Sequence, residues 1–296
     1  MTGPAWRDLR GIETARVYRA ATEAHAAARL AGSLGKALAE PKDDFGHVSL
    51  GWVEKTGELW GAPSVAEGIR AGLSLSPLAL LVGDGPSAPG ERLDLASYSP
   101  EQAHTWLVSA VTARAGTQAA DRLEMPTTQR VGRSDSTVFL TDDEALAALG
   151  AWFSNAHALL TAVAADIPEA SGVRCWPHHF DISTLITLDP DADPEVARSV
   201  GIGLSPGDEG HPEPYVYMLP WPSPGSGTEL EPFRGAGEWV TGEWFGARLS
   251  GSALVGAGDA AAQRAAMFDF VRFAVTEAYR LFGVEGARLH LANALT

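Results

Sequence analysis

Val173-Arg174-Cys175-Trp176-Pro177-His178-His179-Phe180-Asp181-Ile182-Ser183-Thr184-Leu185-Ile186-Thr187-Leu188 follows Pro168, where the texture of the chain turns rich in β-branched and aromatic residues, and it reads as a β-strand. With side chains alternating between faces, Trp176, His178, Phe180, Ile182 and Ile186 fall on one side and Cys175, His179, Asp181 and Ser183 on the other. The second side is the polar one. His179 and Asp181 are two residues apart, so their backbones stand roughly 6.5 to 7 Å apart on the same face, near enough for both side chains to hold one metal ion or share a proton. Pro177 complicates that parity. A proline inside a strand implies an edge or a bulge, and a one-residue bulge would put His178 beside Asp181 instead.

Working outward, further β-type runs occur at Ser199 to Ser205, Glu213 to Pro220 and Trp244 to Leu249 in the last third. In the first half they fall at His47 to Val53, Ala71 to Ser76, Leu78 to Val82 and Glu91 to Leu95. Turn residues separate them at hairpin spacing, so the set reads as antiparallel. Helices are expected from Ile12 to about Leu38, from a capping box at Ser99-Pro100-Glu101-Gln102 to about Arg114, from a second box at Thr141-Asp142-Asp143-Glu144 to about Ala165, and from Asp259 to Phe282. Gly116 to Ser136 reads as loop with a short strand or two. The expected fold is therefore α+β: a mainly antiparallel sheet in two halves, residues 1–140 and 141–296 or one continuous domain, with helices packed on it and a long C-terminal helix.

Composition removes several classes of function. The chain has 296 residues, 45% of them apolar, which supports a real core. A net charge of −15, with only 22 scattered Lys and Arg, leaves no basic surface for nucleic acid or anionic lipid. Cys175 is the sole cysteine, so neither an intramolecular disulfide nor a thiolate-built zinc site can form, and it reads as a buried strand residue. No N-terminal targeting pattern and no run approaching a spanning helix is evident, which gives a cytoplasmic expectation. Gly-x-Ser-x-Gly, Walker and His-Glu-x-x-His patterns are absent, and Gly201-Ile202-Gly203 lacks the third glycine of a dinucleotide loop.

The chemistry then rests on few residues. His179 and Asp181, with His178, are the candidate catalytic group. A metal site would add His211, from Ser205-Pro206-Gly207-Asp208-Glu209-Gly210-His211-Pro212-Glu213-Pro214-Tyr215, a loop that brings Asp208, Glu209 and Glu213 to the same mouth if its strands pair with the first. His47, beside Asp43 and Asp44, reads as an exposed strand histidine. Three roles stay open for the His/Asp pair: holding a divalent transition metal, metal-free acid/base work, and a purely structural hydrogen bond. Aromatics concentrate in the last third as Tyr215, Tyr217, Trp221, Trp239, Trp244 and Phe245. Trp176, Tyr215, Tyr217 and Trp244 are the candidates for lining a pocket for a bulky apolar small molecule.

The two motifs, Trp176-Pro177-His178-His179-Phe180-Asp181 and the Ser205 to Tyr217 segment followed by Pro220-Trp221, resemble a family of uncharacterised proteins from high-GC bacteria. More distantly, the Phe-Asp strand and the last helix resemble the DUF5996 family of unknown function. The first motif of the nearer family has Glu where this chain has His178. That exchange replaces an oxygen ligand or base by nitrogen and favours a borderline transition metal over magnesium or calcium. The resemblance implies no activity. The expected function is a small-molecule enzyme, in specialised metabolism, with metal-assisted or His/Asp acid/base chemistry. The alternative is a non-catalytic protein that binds an apolar small molecule. A homo-oligomer is compatible with either.

Overall fold

The computed structural model describes residues 6–88, 90–127, 137–193, 196–224, 227–242 and 244–284. Helix α1 (Thr14–Leu38) leads into β1 (Leu50–Val53), β2 (Glu58–Gly61), β3 (Arg70–Ser74), β4 (Ala79–Gly83) and β5 (Glu91–Asp94), then α2 (Pro100–Ala115) and the short α3 (Thr117–Ala120). The second half opens the same way. Helix α4 (Asp143–Asp166) precedes β6 (Arg174–Trp176), β7 (Asp181–Thr187), β8 (Ser199–Ser205), β9 (Tyr215–Trp221), β10 (Glu238–Val240) and β11 (Gly246–Ser250), closed by a short α5 (Gly251–Gly256) and α6 (Ala260–Leu281).

All eleven strands form one open antiparallel sheet, ordered β10-β11-β9-β8-β7-β6-β1-β2-β3-β4-β5. The fold is α+β, as expected. β1 and β6, the first strands of the two halves, pair at the seam with Leu50 opposite Cys175, and the sheet runs outward from there in both directions. A single buried core joins the halves, drawing Leu50, Leu59 and Leu73 from one and Ile182, Ile202 and Val216 from the other. Each such side chain contributes roughly 1.5 to 3 kcal/mol by leaving water.

Helix α1 lies close to the sheet because its packing face is alanine and glycine. A Cβ on Gly32 would stand 2.8 Å from the Pro177 ring, and one on Gly35 would overlap the His47 carbonyl oxygen. The helix ends are made by side chains, as the sequence suggests. Ser99 and Gln102 form a reciprocal capping box at α2, and Asp259 accepts from the Ala262 N–H at α6. At α4 the cap is Asp142, accepting from Ala145, one residue beyond the expected Thr141. Asp142 is also held by the Arg16 guanidinium at 2.7 and 2.8 Å, which keeps it where only it can cap.

Other differences are informative. β2, β10 and α5 were not expected, being three to six residues long and too short to show a period. Residues 117–120 are helical and not loop, while the rest of that stretch lies partly outside the described residues. The run His47 to Val53 begins as a 3-10 turn at Gly46–Val48 before β1 starts at Leu50. Helix α4 carries an 18-residue window of mean hydropathy 1.3, so among the described residues one helix is long and apolar enough to cross a membrane; 56% of that window is buried inside the fold, as in a core helix.

Candidate functional site

The run from Val173 to Leu188 is two strands and a turn. Trp176 faces Asp181 across the β6–β7 pair, and Pro177 to Phe180 make the connection. The Trp176 carbonyl accepts from the N–H groups of His179 (3.1 Å) and Phe180 (2.6 Å). Phe180 closes the turn in the left-handed region, φ +61°, where a non-glycine residue is strained. What holds it there is burial: its ring is fully covered, stacked on His25 at 5.6 Å and tilted on Phe153 at 5.3 Å. Helix α1 clamps the turn from one side. Arg29 Nη2 donates to the His178 carbonyl at 2.9 Å and His25 Nε2 lies 3.2 Å from the same oxygen.

This turn corrects the face assignment made from period two. His178 and His179 belong to no strand; both imidazoles are exposed, their rings 4.5 Å apart. Cys175 lies on the helix-covered face opposite Ile182, with no exposure, and burial pushes its thiol well up. Trp176 joins Asp181 on the site face. Asp181 and Ser183 do share a face, as do Ile182 and Ile186 on the other, because β7 itself is regular.

Asp181 is the first residue of β7 and only 9% exposed. The Tyr217 hydroxyl donates a short hydrogen bond to its Oδ2, while its Oδ1 is buried with no partner. Tyr217 also lies within hydrogen-bond reach of the Ser183 hydroxyl. The link spans two strand spacings. Ser183, Gly203 and Tyr217 are register partners on β7, β8 and β9, so the phenol crosses β8 over Gly203 to reach Asp181. A Cβ at Gly203 would lie 2.5 Å from the Tyr217 oxygen. The missing side chain is the space the ring occupies.

Electrostatics at this pair follow from burial. Loss of water raises the Asp181 carboxyl above the ordinary aspartate value, and the Tyr217 hydrogen bond and the nearby His179 and His178 offset only part of that. Burial likewise pushes the Tyr217 phenol well up, helped by the adjacent Asp181 charge, so Tyr217 is a donor and not a base. The His178 imidazole is lowered, first by partial burial and then by His179.

The β8–β9 loop sits at the same end of the sheet, but Asp208 and Glu213 are committed to the loop and to α5, and the buried His211 Nε2 has no hydrogen-bond partner. Asp208 takes the Tyr215 hydroxyl at 2.6 Å and the His211 N–H at 2.9 Å. Glu213 accepts from both the N–H and the hydroxyl of Ser252, at 2.7 and 2.9 Å, and holds the start of α5. His211 Nε2 stands 3.4 Å from Glu213 Oε1, and its ring meets Tyr215 edge-on. Among the described residues no group of three or more His, Cys, Asp or Glu side chains comes together as a metal site, so His178, His179, Asp181 and His211 are not assembled as one. His47 accepts from the Lys42 N–H and stacks on Phe45.

Of the expected pocket residues, Trp176, Tyr215 and Tyr217 surround Asp181, whereas Trp244 lies further down the sheet face, in a groove with Trp221 and Phe245. Ser183, Gly203, His25 and Arg29 were missing from the expected site. The spacing of His25 and Arg29, one helical turn apart, was the only sequence signal for the clamp. No family model matches this chain, and neither does any curated protein or solved structure; the resemblance noted above thus rests on its two motifs.

Proposed function

We propose that this chain is a small-molecule enzyme in which the Asp181 carboxyl gives and takes a proton, with Tyr217 as the residue that positions it. The observation that carries the reading is the buried, unpartnered Oδ1 of a carboxyl whose other oxygen is held by Tyr217. A buried polar atom without a partner costs about 1 to 3 kcal/mol, and a reacting group that hydrogen-bonds to Asp181 Oδ1 would remove that cost. Burial supplies the second requirement, since it raises the carboxyl above the ordinary aspartate value, the direction in which catalytic carboxyls are tuned.

Turnover in a screen of uncharged small molecules is expected to fall by roughly 10²- to 10⁴-fold in Asp181→Asn. Retained turnover in that variant would refute the assignment. Tyr217→Phe removes a hydrogen bond that favours the ionised carboxyl, so the Asp181 midpoint, followed by carboxyl carbon NMR, is expected to move higher still.

Stability gives an independent check. The folded chain holds the Asp181 proton to higher pH than the unfolded chain does. Its contribution is therefore fully present below the unfolded value and is lost as pH rises through the folded one. Asparagine cannot ionise. Asp181→Asn is expected to be as stable as the wild type in mild acid and more stable above the folded midpoint, by denaturant titration at several pH values; equal curves throughout would show that the carboxyl carries no burial penalty.

A metal-assisted form of the same reaction is favoured only by the exposed His178/His179 pair beside Asp181. It predicts stoichiometric transition metal in protein purified without a tag, lost in both His179→Ala and Asp181→Ala.

A further inference from the structure

The same sheet face that carries Asp181 and Ser183 turns apolar at Leu185, four residues beyond Asp181. Leu185, Gly201 and Leu219 are register partners on β7, β8 and β9, and Ser199 and Trp221 are partners in the next row. The three large apolar side chains of this patch are open to solvent: Leu185 is 45% exposed, Leu219 37% and Trp221 49%. Gly201 leaves a slot between the two leucines, since a Cβ there would meet only Leu219, at 3.8 Å. The chain on either side of β10, with Trp244 and Phe245, walls the slot into a groove of about 910 Å³. That volume lies in the range that holds a drug-sized ligand.

The lining chemistry narrows the occupant. In a chain that is 20% charged, none of the described lining residues is Asp, Glu, Lys, Arg or His. The polar side chains among the described lining residues are the hydroxyls of Ser199, Ser223, Thr228 and Thr241 and the indole N–H groups of Trp221 and Trp244. An ionic group would find no partner of opposite charge among the described lining residues and would sit against apolar walls. Aromatic walls facing a side-chain-free glycine floor fit a flat molecule.

We infer that the groove over Gly201 binds an uncharged, planar, largely apolar small molecule. Ser183 and Tyr217 precede Leu185 and Leu219 by two residues on this face, so one end of the ligand is presented to the polar row that holds Asp181. In naming that ligand as the substrate class, the inference rests on the acid/base reading above; as a binding site it stands without it.

The test is a fluorescence titration of the full chain with N-phenyl-1-naphthylamine, a neutral planar probe. Saturable one-to-one binding with quenching of tryptophan emission is expected. The sulfonated probe 1-anilinonaphthalene-8-sulfonate should bind at least about tenfold more weakly. Gly201→Val fills the slot from the floor and suits a strand, so it is expected to weaken the neutral probe by at least about tenfold with an unchanged melting temperature. Leu185→Asp, at an exposed position, places a charge in the slot and should weaken it similarly. Affinity is read without turnover, so a failed groove, seen as non-saturable binding, is told apart from a failed acid/base site, seen as turnover kept in Asp181→Asn. Non-saturable binding, or full affinity in both Gly201→Val and Leu185→Asp, would overturn the inference.

Discussion

Gly203→Ala is expected to destabilise the chain by about 2 to 3 kcal/mol and to separate Tyr217 from Asp181. The new methyl carbon would lie 2.5 Å from the Tyr217 oxygen and 2.8 Å from the Ile182 carbonyl oxygen. The phenol can swing aside, but the Ile182 carbonyl belongs to the β7 ladder and cannot move without loosening its pairing with β8. Once Tyr217 leaves, the buried Asp181 carboxyl loses the hydrogen bond that most favours its ionised form, and it is expected to rise as in Tyr217→Phe. Gly201→Ala provides the comparison. It sits two residues away on the same strand and meets only Leu219, so it should be neutral or stabilising, because alanine restricts the unfolded chain more than glycine does. Equal denaturation midpoints for the two alanine variants would mean that the Tyr217 ring does not depend on the space over Gly203.

The contrast between these two glycines shows where sequence reasoning reached and where it stopped. Gly201-Ile202-Gly203 lies in the expected strand Ser199 to Ser205, which the structure has as β8, and lacks the third glycine of a dinucleotide loop. Its actual roles depend on which residues lie across from it on β7 and β9, and register is not written in a strand's own residues. The same limit hid the Asp181–Tyr217 bond: each residue stood among the candidates, Asp181 for its polar strand face and Tyr217 for its aromatic neighbourhood, but the link runs across an intervening strand. Long helices and the antiparallel order were legible because periodicity and caps are local. The His-His doublet was misplaced for a local reason as well. Pro177 does mark the break in alternation, but it is read as an edge or a one-residue bulge, whereas the chain makes a full turn from Pro177 to Phe180 that takes both histidines out of the strand.

Phe180→Ala is expected to cost about 3 to 5 kcal/mol, lowering the melting temperature by on the order of 10 °C. The ring is fully buried between His25 on α1 and Phe153 on α4, so its loss opens a cavity where both long helices meet the turn. Backbone strain gives this position a second signature. At φ +61° alanine keeps a Cβ in a conformation that costs an L-residue roughly 1 to 2 kcal/mol, whereas glycine adopts it freely. Phe180→Gly should therefore be more stable than Phe180→Ala, the reverse of the order in an ordinary strand or helix. Denaturant midpoints of the two variants decide it, and an alanine variant as stable as the glycine one would sink the left-handed turn. The consequence for the site is directional. Phe180 is the residue immediately before Asp181, so the same burial that holds the turn against its strain also fixes where the carboxyl emerges on β7. In Phe180→Gly, which keeps the backbone shape but loses the ring, the Asp181 midpoint should fall toward the ordinary aspartate value as water enters from the vacated space; an unshifted midpoint would show that the carboxyl owes its burial to Tyr217 and the sheet alone.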